Sequence, residues 1–198
     1  MKNPIASKWN VRYAYSGEPV PAPAQVLSQG ERWLAEIDKS KVEVVAASLP
    51  SALDLACGRA SNGHWLAQRG YQVSVWDISE TVIEEIRSRE PCLLHEIAVR
   101  DISAYPPEVD SFDVIVVSRF LDRGICSAIA AALKPGGTLF YQTFTHGLSN
   151  PDYLLKPNEL LSLFSELDIL EYHEPEPDAH GKAEARLVAR RSASAIDA

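Results

Sequence analysis

Three aspartates, Asp54, Asp77 and Asp101, fall at the ends of the successive short runs "SALDLA", "YQVSVWD" and "CLLHEIAVRD". One such aspartate ordinarily caps the helix that follows it, but three in series ask for more. A carboxylate at a strand end can accept both ribose hydroxyls of a nucleoside, and a further one can take the exocyclic amine of adenine. Between the first two lies a small-residue turn, Ala56 to Ser61, that lets backbone approach a ligand closely. It has no Gly-Lys-Ser/Thr ending for phosphate and Mg²⁺. Nor does it carry the Gly-x-Gly-x-x-Gly that admits a pyrophosphate: Gly58 is followed by Arg59, Ala60 and Ser61, and Gly63 is out of register. The pattern points to a nucleoside cofactor without phosphates and against a nicotinamide dinucleotide.

These side chains need an alternating scaffold, and the chain reads as one. "SALDLA" is a short apolar strand and "SNGHWLAQRG" a helix ended by Gly70. "YQVSVWD" is a second strand, followed by a helix over "SETVIEEIRSRE". Ser79 or Thr81 is its N-cap, and Thr81 with Glu84 has the capping-box spacing. "CLLHEIAVRD" and "FDVIVVS" are the third and fourth strands, the latter apolar enough to be buried on both faces. A helix over "RGICSAIAAALK", stopped by Pro135-Gly136-Gly137, leads to a fifth strand, "TLFYQTF". After a helix in "PNELLSLFSEL", "DILEYHE" and "ARLVARR" are joined by a linker too short for a helical crossover, so they form an antiparallel pair. The expected fold is α/β, a Rossmann-like, doubly wound, mostly parallel sheet with helices on both faces. Ligands in such sheets collect beyond the C-terminal strand ends.

Before this scaffold, residues 1–23 hold Trp9, Tyr13, Tyr15, Pro19, Pro21 and Pro23, and proline denies the segment a helix interior. It is an arm docked by its rings or a lid over the site. Val26, Leu27, Gly30, Trp33, Leu34 and Ile37 then mark an amphipathic helix from Ala24 to Ile37. Residues 24–191 form the cofactor-binding domain and 192–198 a frayed tail.

The 198 residues suit one domain. A formal charge of −8 gives no support to nucleic-acid binding. No run approaches the roughly 20 apolar residues of a membrane span, and the N-terminus lacks the apolar core of a signal peptide. Cys57, Cys92 and Cys126 are odd in number and scattered, so no disulfide framework is implied. The expected setting is cytoplasmic and reduced. The five histidines show no ligand spacing, so no metal is expected, and nothing sets an oligomeric state.

"LDLACGRASNGHWLAQRGYQVSVWDIS", "RDI", "FDVIVVSRFLDR", "LKPGGTLFYQTF" and "NPDYLLKPNELLSLF", in this order, resemble a class I S-adenosylmethionine-dependent methyltransferase. Within that superfamily the chain is most similar to the small tellurite-resistance-type enzymes, whose N-terminal arm "WNVRYA" also resembles. The resemblance implies seven strands with the last inserted antiparallel, and S-adenosyl-L-methionine as cofactor. It puts Asp54, Ala56 and Gly58 beside the methionine part, Asp77 on the ribose and Ile78 against adenine. Asp101 and Ile102 take the adenine edge, and Ser118 and Arg119 lie under the sulfonium. Ala56 and Ala60 depart from glycine in many relatives, and Ser61 from an arginine frequent in this subgroup. Trp76 would crowd or stack near the adenosine.

Methyl transfer from a sulfonium is an in-line displacement of an activated leaving group, so positioning and exclusion of water can carry it. A base is needed only where the acceptor must lose a proton. Candidates on the acceptor side follow strands four and five: Arg119, Asp122, Arg123, Thr143, His146, Asn150 and Tyr153, with Arg12 and Tyr13 closing from the arm. Of these Arg119, His146 and Tyr13 are the catalytic candidates. Arg119 and Arg123 could grip an anion, although Arg123 equally fits a solvated helix start or a pair with Asp122. The expected function is methyl transfer to a small, soft or anionic acceptor: a tellurite- or selenite-like oxyanion, a thiol or a small acid. The alternative is a non-catalytic sensor or partner subunit that binds the same cofactor.

Overall fold

The computed structural model describes residues 3–15, 19–35, 49–89 and 93–193. Its elements in chain order are α1 (Pro4–Tyr15), α2 (Gln25–Gln29), β1 (Ser51–Leu55), α3 (Ser61–Ala67), β2 (Gln72–Asp77), α4 (Glu80–Arg89) and β3 (Glu96–Val99). Then come β4 (Phe112–Ser118), α5 (Cys126–Ala132), β5 (Leu133–His146), α6 (Glu159–Leu163), β6 (Asp168–His173) and β7 (Ala183–Arg190). The seven strands form one sheet in the order β3-β2-β1-β4-β5-β7-β6. β1 to β5 run parallel, and β7 is inserted antiparallel between β5 and β6. The expected doubly wound sheet with an antiparallel final strand is thus observed. Order reverses between β1 and β4, so the site opens above those two strand ends.

Strand side chains alternate between two cores, as a sheet covered on both faces requires. Leu53, Leu55, Ile115, Val117 and Tyr141 pack against Ile129 of α5, Leu160 of α6 and Phe164 just past its end. Ala52, Val73, Val75, Val116 and Phe140 pack on the other face against Leu27, Leu66, Ile83 and Ile86 of α2, α3 and α4. Trp76 belongs to the first core, edge-on to Phe112 with ring centroids 5.7 Å apart. Its Nε1–H donates to Glu96 at 2.7 Å. It is therefore a core residue, and the expected adenosine contact gives way to packing.

Four local expectations are corrected. The N-terminal arm contains a helix, because the prolines it was read on lie outside it: Pro4 sits in the first turn, which needs no N–H there. The helix expected from Ala24 ends at Gln29, and residues 31–33 form a 3-10 turn. Gly30 is the cause, pressed so close that a Cβ would lie 2.7 Å from the Val26 carbonyl and 2.9 Å from the Phe140 ring. Ile37 lies outside the described residues. Helix α4 is capped by Ser79, whose Oγ accepts the Val82 N–H at 3.4 Å, while the Thr81 N–H donates to Asn10 instead of closing a capping box. β3 is only four residues long, and Cys92 lies outside the described residues, as do positions 194–198 of the expected tail.

"LKPGG" works at the end of the sheet remote from the site. Lys134 Nζ donates to Asp113 Oδ2 at 2.7 Å and to Ser51 Oγ at 3.0 Å, tying β5 to β4 and β1. Gly137 runs within about one atom's width of three carbonyls, its virtual Cβ 2.9 Å from the Lys134 oxygen.

Candidate functional site

Asp54, fully buried, is the penultimate residue of β1, and after Leu55 the chain turns through Ala56 (φ 54°), Gly58 (φ 52°) and Ala60 (φ 59°) into α3. All three lie in the left-handed region, at roughly 1–2 kcal/mol for each alanine. The two alanines in glycine positions therefore cost backbone strain, where the sequence suggested only an extra methyl. The tight turn aims α3 back at β1. Asp54 accepts the Gly63 N–H at 2.9 Å and the Asn62 amide at 3.4 Å, and the same amide reaches Ser118 Oγ at 3.1 Å. A Cβ on Gly63 would lie 2.6 Å from Val75 Cγ1, so this second glycine sets the helix-to-sheet distance. Burial lifts the Asp54 carboxyl to about 7 against the N–H groups that lower it.

Asp77 ends β2 one strand over. Its carboxylate accepts the Gly58 N–H and the Ser79 N–H, each at 2.9 Å, and burial raises its pKa. Asp101, after β3, accepts the side-chain amide of Asn3 at 2.7 Å. Ile78 is half-buried, whereas the Ile102 side chain is in the core below the strand ends. The structure thus brings Asp54, Gly58, Asp77 and Asp101 along one rim, in strand order.

Helix α1 lies along that rim. Asn3 is at Asp101, Asn10 Oδ1 accepts Ser79 Oγ at 2.7 Å, and the Tyr13 hydroxyl is 2.9 Å from the place of a Gly58 Cβ. Tyr13 stacks on Trp9 and faces the Arg59 guanidinium at 5.6 Å. Its hydroxyl pKa is raised by burial and then by the Asp77 charge. Lys8 lies 5.4 Å over the Tyr153 ring on the far side of the site. Arg12 turns to Trp9, 5.9 Å from its ring.

Arg119 follows β4 with φ 55°, its N–H donates to the Gln142 carbonyl at 2.7 Å, and its Nε donates to Glu184 at 2.8 Å. Gln142, nearly buried in β5, accepts the Val26 N–H at 2.8 Å and donates to Glu184. Glu184 is thereby held from two sides. Around it opens a cleft of about 660 Å³ whose lining includes Ser61, Ser118, Phe144, His173, Lys182 and Arg186.

Other expected acceptor residues are engaged elsewhere. Arg123 is clamped by both oxygens of Glu159 (2.7 and 2.9 Å) and by two carbonyls, so its partner is Glu159 and not Asp122. Asp122 caps the 3-10 turn 123–125 and accepts Ser103 Oγ, and Asn150 caps the turn 151–153. His146 is exposed beside Thr145, and Thr143 is buried. His64 is half-buried on α3. Cys57 is buried in the turn, which pushes its thiol far above the reactive range. Sequence reasoning missed Asn3, Asn10, Asn62, Gln142, Glu184 and Arg186. Gln142 had a signal, a polar residue inside the apolar run "TLFYQTF".

This sheet order, with a carboxylate rim above β1 to β3, is the fold of the class I S-adenosylmethionine-dependent methyltransferases. Residues 52–137 match the family model described as "Methyltransferase domain". It is 30% identical over 108 residues to a ubiquinone biosynthesis O-methyltransferase of Idiomarina loihiensis, a match covering 50% of this chain and 44% of the relative. The chain spans about half the length of the curated relatives it matches. Among solved structures, TehB from Haemophilus influenzae superposes with a TM-score of 0.62 at 24% identity, over 84% of this chain and 66% of that one. An S-adenosylmethionine-dependent methyltransferase from Methanosarcina mazei does so with a TM-score of 0.64 at 20% identity, over 87% and 99%. These likenesses show the fold. Among the described residues, no helix is long and apolar enough to cross a membrane.

Proposed function

We propose that the protein is an S-adenosylmethionine-dependent methyltransferase acting on a small polar acceptor. The observation that carries this reading is the rim Asp54–Gly58–Asp77–Asp101, buried or half-buried carboxylates at three successive strand ends around a left-handed turn. The residues fit the cofactor. A carboxylate whose pKa is raised by burial, as at Asp77, is stabilised by further hydroxyl donors, which a ribose offers. Gly58 is the one rim position without a Cβ, and the buried Asp54 suits an ammonium. When bound, S-adenosylmethionine supplies a methyl group on a sulfonium, already activated for displacement.

The chain's residues then bind, orient and exclude water. Asp77 and Asp101 hold the adenosine, with Ile78 beside it and Ile102 supporting the floor. Asp54, Ala56 and Gly58 would hold the methionine part, and Ser118 and Arg119, at the end of β4, would face its sulfonium. α1 is the lid of this half, with Tyr13 as its contact at Gly58. The acceptor enters the cleft beyond Arg119. Arg119 is already charge-compensated by Glu184, so an anionic group on the acceptor is better served by Arg186 and Lys182. The setting we infer is cytoplasmic, in keeping with the free thiols of Cys57 and Cys126.

Calorimetry with S-adenosylhomocysteine tests the reading. Wild type binds it, and Asp77→Ala weakens binding by tenfold or more, about 1.4 kcal/mol, while the melting curve stays cooperative. No binding by wild type would refute the assignment.

A further inference from the structure

The acceptor cleft contains an unspent anion site two residues from a held carboxylate. Glu184 and Arg186 lie on the same face of β7, and two strand residues separate their Cα atoms by about 7 Å. Arg186 stands in register between Gln142 of β5 and His173 of β6, so it occupies the middle of the cleft floor. Only its Nη1 is engaged, with the neutral side chains of Gln25 (3.1 Å) and Gln29. Its Nε and Nη2 have no partner among the described residues, which leaves the planar fork open to a carboxylate or phosphate. The Lys182 ammonium, in the same cleft, is electrostatically coupled to Asp178 and adds positive charge to the cleft mouth.

Glu184 differs in being positioned. Buried Gln142, itself fixed by the Val26 N–H, and Arg119 each donate to it, and two donors leave a carboxylate with acceptor sites to spare. Glu184 faces Phe144 beside Arg119, and Arg186 faces Gln142, one same-face pair further down the sheet. The remaining acidic groups of the cleft are Glu176 and Asp178, and Asp178 is occupied by the N–H groups of His180 and Lys182.

We propose that Glu184 and Arg186 are the acceptor-binding pair, and that the acceptor is a zwitterion with an amine at Glu184 and an acid group at Arg186. This rests on the methyltransferase reading of the same site. The ammonium of the bound acceptor gives one proton to Glu184, leaving a neutral amine with its lone pair free, and the carboxylic acid returns the proton to solvent through the open cleft.

The test is calorimetric titration of the protein–S-adenosylhomocysteine complex with β-alanine, 4-aminobutyrate and 3-aminopropyl phosphate, beside propionate and propylamine, which each lack one group, and beside selenite and 3-mercaptopropionate. At least one amino acid should bind about tenfold more tightly than either half-molecule, the worth of a second charge-assisted contact. Whether the phosphate or a carboxylate wins identifies the acid. Glu184→Gln should abolish the advantage over propionate, and Arg186→Gln the advantage over propylamine, with S-adenosylhomocysteine affinity unchanged in both. Binding by none of the three, equal binding by a half-molecule, preferential binding of selenite or 3-mercaptopropionate, or indifference of both variants overturns the proposal. Should a variant not fold, the ligand series on wild type decides alone. If S-adenosylhomocysteine itself does not bind wild type, the methyltransferase reading fails. If it binds and the amino acids do not, only the zwitterion fails.

Discussion

The amide of Asn3 donates to the carboxylate of Asp101 at 2.7 Å across 98 positions of sequence, fastening the start of α1 to the end of the β3 arm of the sheet. The same side chain caps the helix through Oδ1, which accepts the Ile5 N–H at 2.9 Å. Asn3→Ala removes both, at a cost of about 0.5–2 kcal/mol for the cap. The loss should be local, because the strands carry their own core. Hydrogen exchange should therefore quicken over residues 4–15 and remain unchanged in β1, β4 and β5. Unaltered exchange in α1 would show that Asn10 and the stacked Trp9 and Tyr13 hold the helix without Asn3.

Gly58 is the second point where α1 meets the rim. At φ 52° any L side chain is strained by roughly 1–2 kcal/mol, and its Cβ would lie 2.9 Å from the Tyr13 hydroxyl. Gly58→Ala should lower the urea midpoint with an unchanged m-value. Adding Tyr13→Phe relieves the contact and leaves the backbone cost, so the double variant should recover only part of the loss. Full recovery would place the whole penalty on Tyr13.

The rim was legible in the sequence because strand ends are announced by the apolar runs that precede them. Asp54, Asp77 and Asp101 each follow such a run, and the alternation of strand and helix fixes them on one edge. What the sequence hid is tertiary. Asn3 and Glu184 carry no local pattern, and each acquires its role from a residue far along the chain, at 101 and 119. The prolines near the N-terminus masked α1, since Pro4 favours a helix start while Pro19, Pro21 and Pro23 follow its end. Trp76 misled for a related reason: adjacency to Asp77 in a strand means the opposite face of the sheet.

Asp54 predicts a pH dependence of the cofactor-free protein. Burial holds its folded-state pKa at about 7, above the usual carboxylate value, and Asp77 is shifted the same way. Between those values the folded state binds more protons than the unfolded one, so stability falls as pH rises. The favourable contribution is complete below the unfolded-state pKa and is lost on passing pH 7. Wild type should melt lower at pH 8 than at pH 5.5, and Asp54→Asn should flatten that slope. A wild-type melting temperature that rises over this interval would contradict the sign.

Gln142 joins the scaffold to the cleft, and its substitution separates stability from binding. Its Oε1 accepts the Val26 N–H at 2.8 Å, and its amide N–H donates to Glu184. Gln142→Leu keeps the volume near that of the native side chain and strands a buried N–H, which costs about 1–3 kcal/mol. Glu184 keeps Arg119 and loses the donor that fixes its second oxygen. Urea unfolding should report the destabilisation, whereas S-adenosylhomocysteine affinity should hold, because Gln142 is not on the Asp54–Asp77–Asp101 rim. A variant as stable as wild type would mean that Val26 finds another acceptor when α2 shifts by less than a turn.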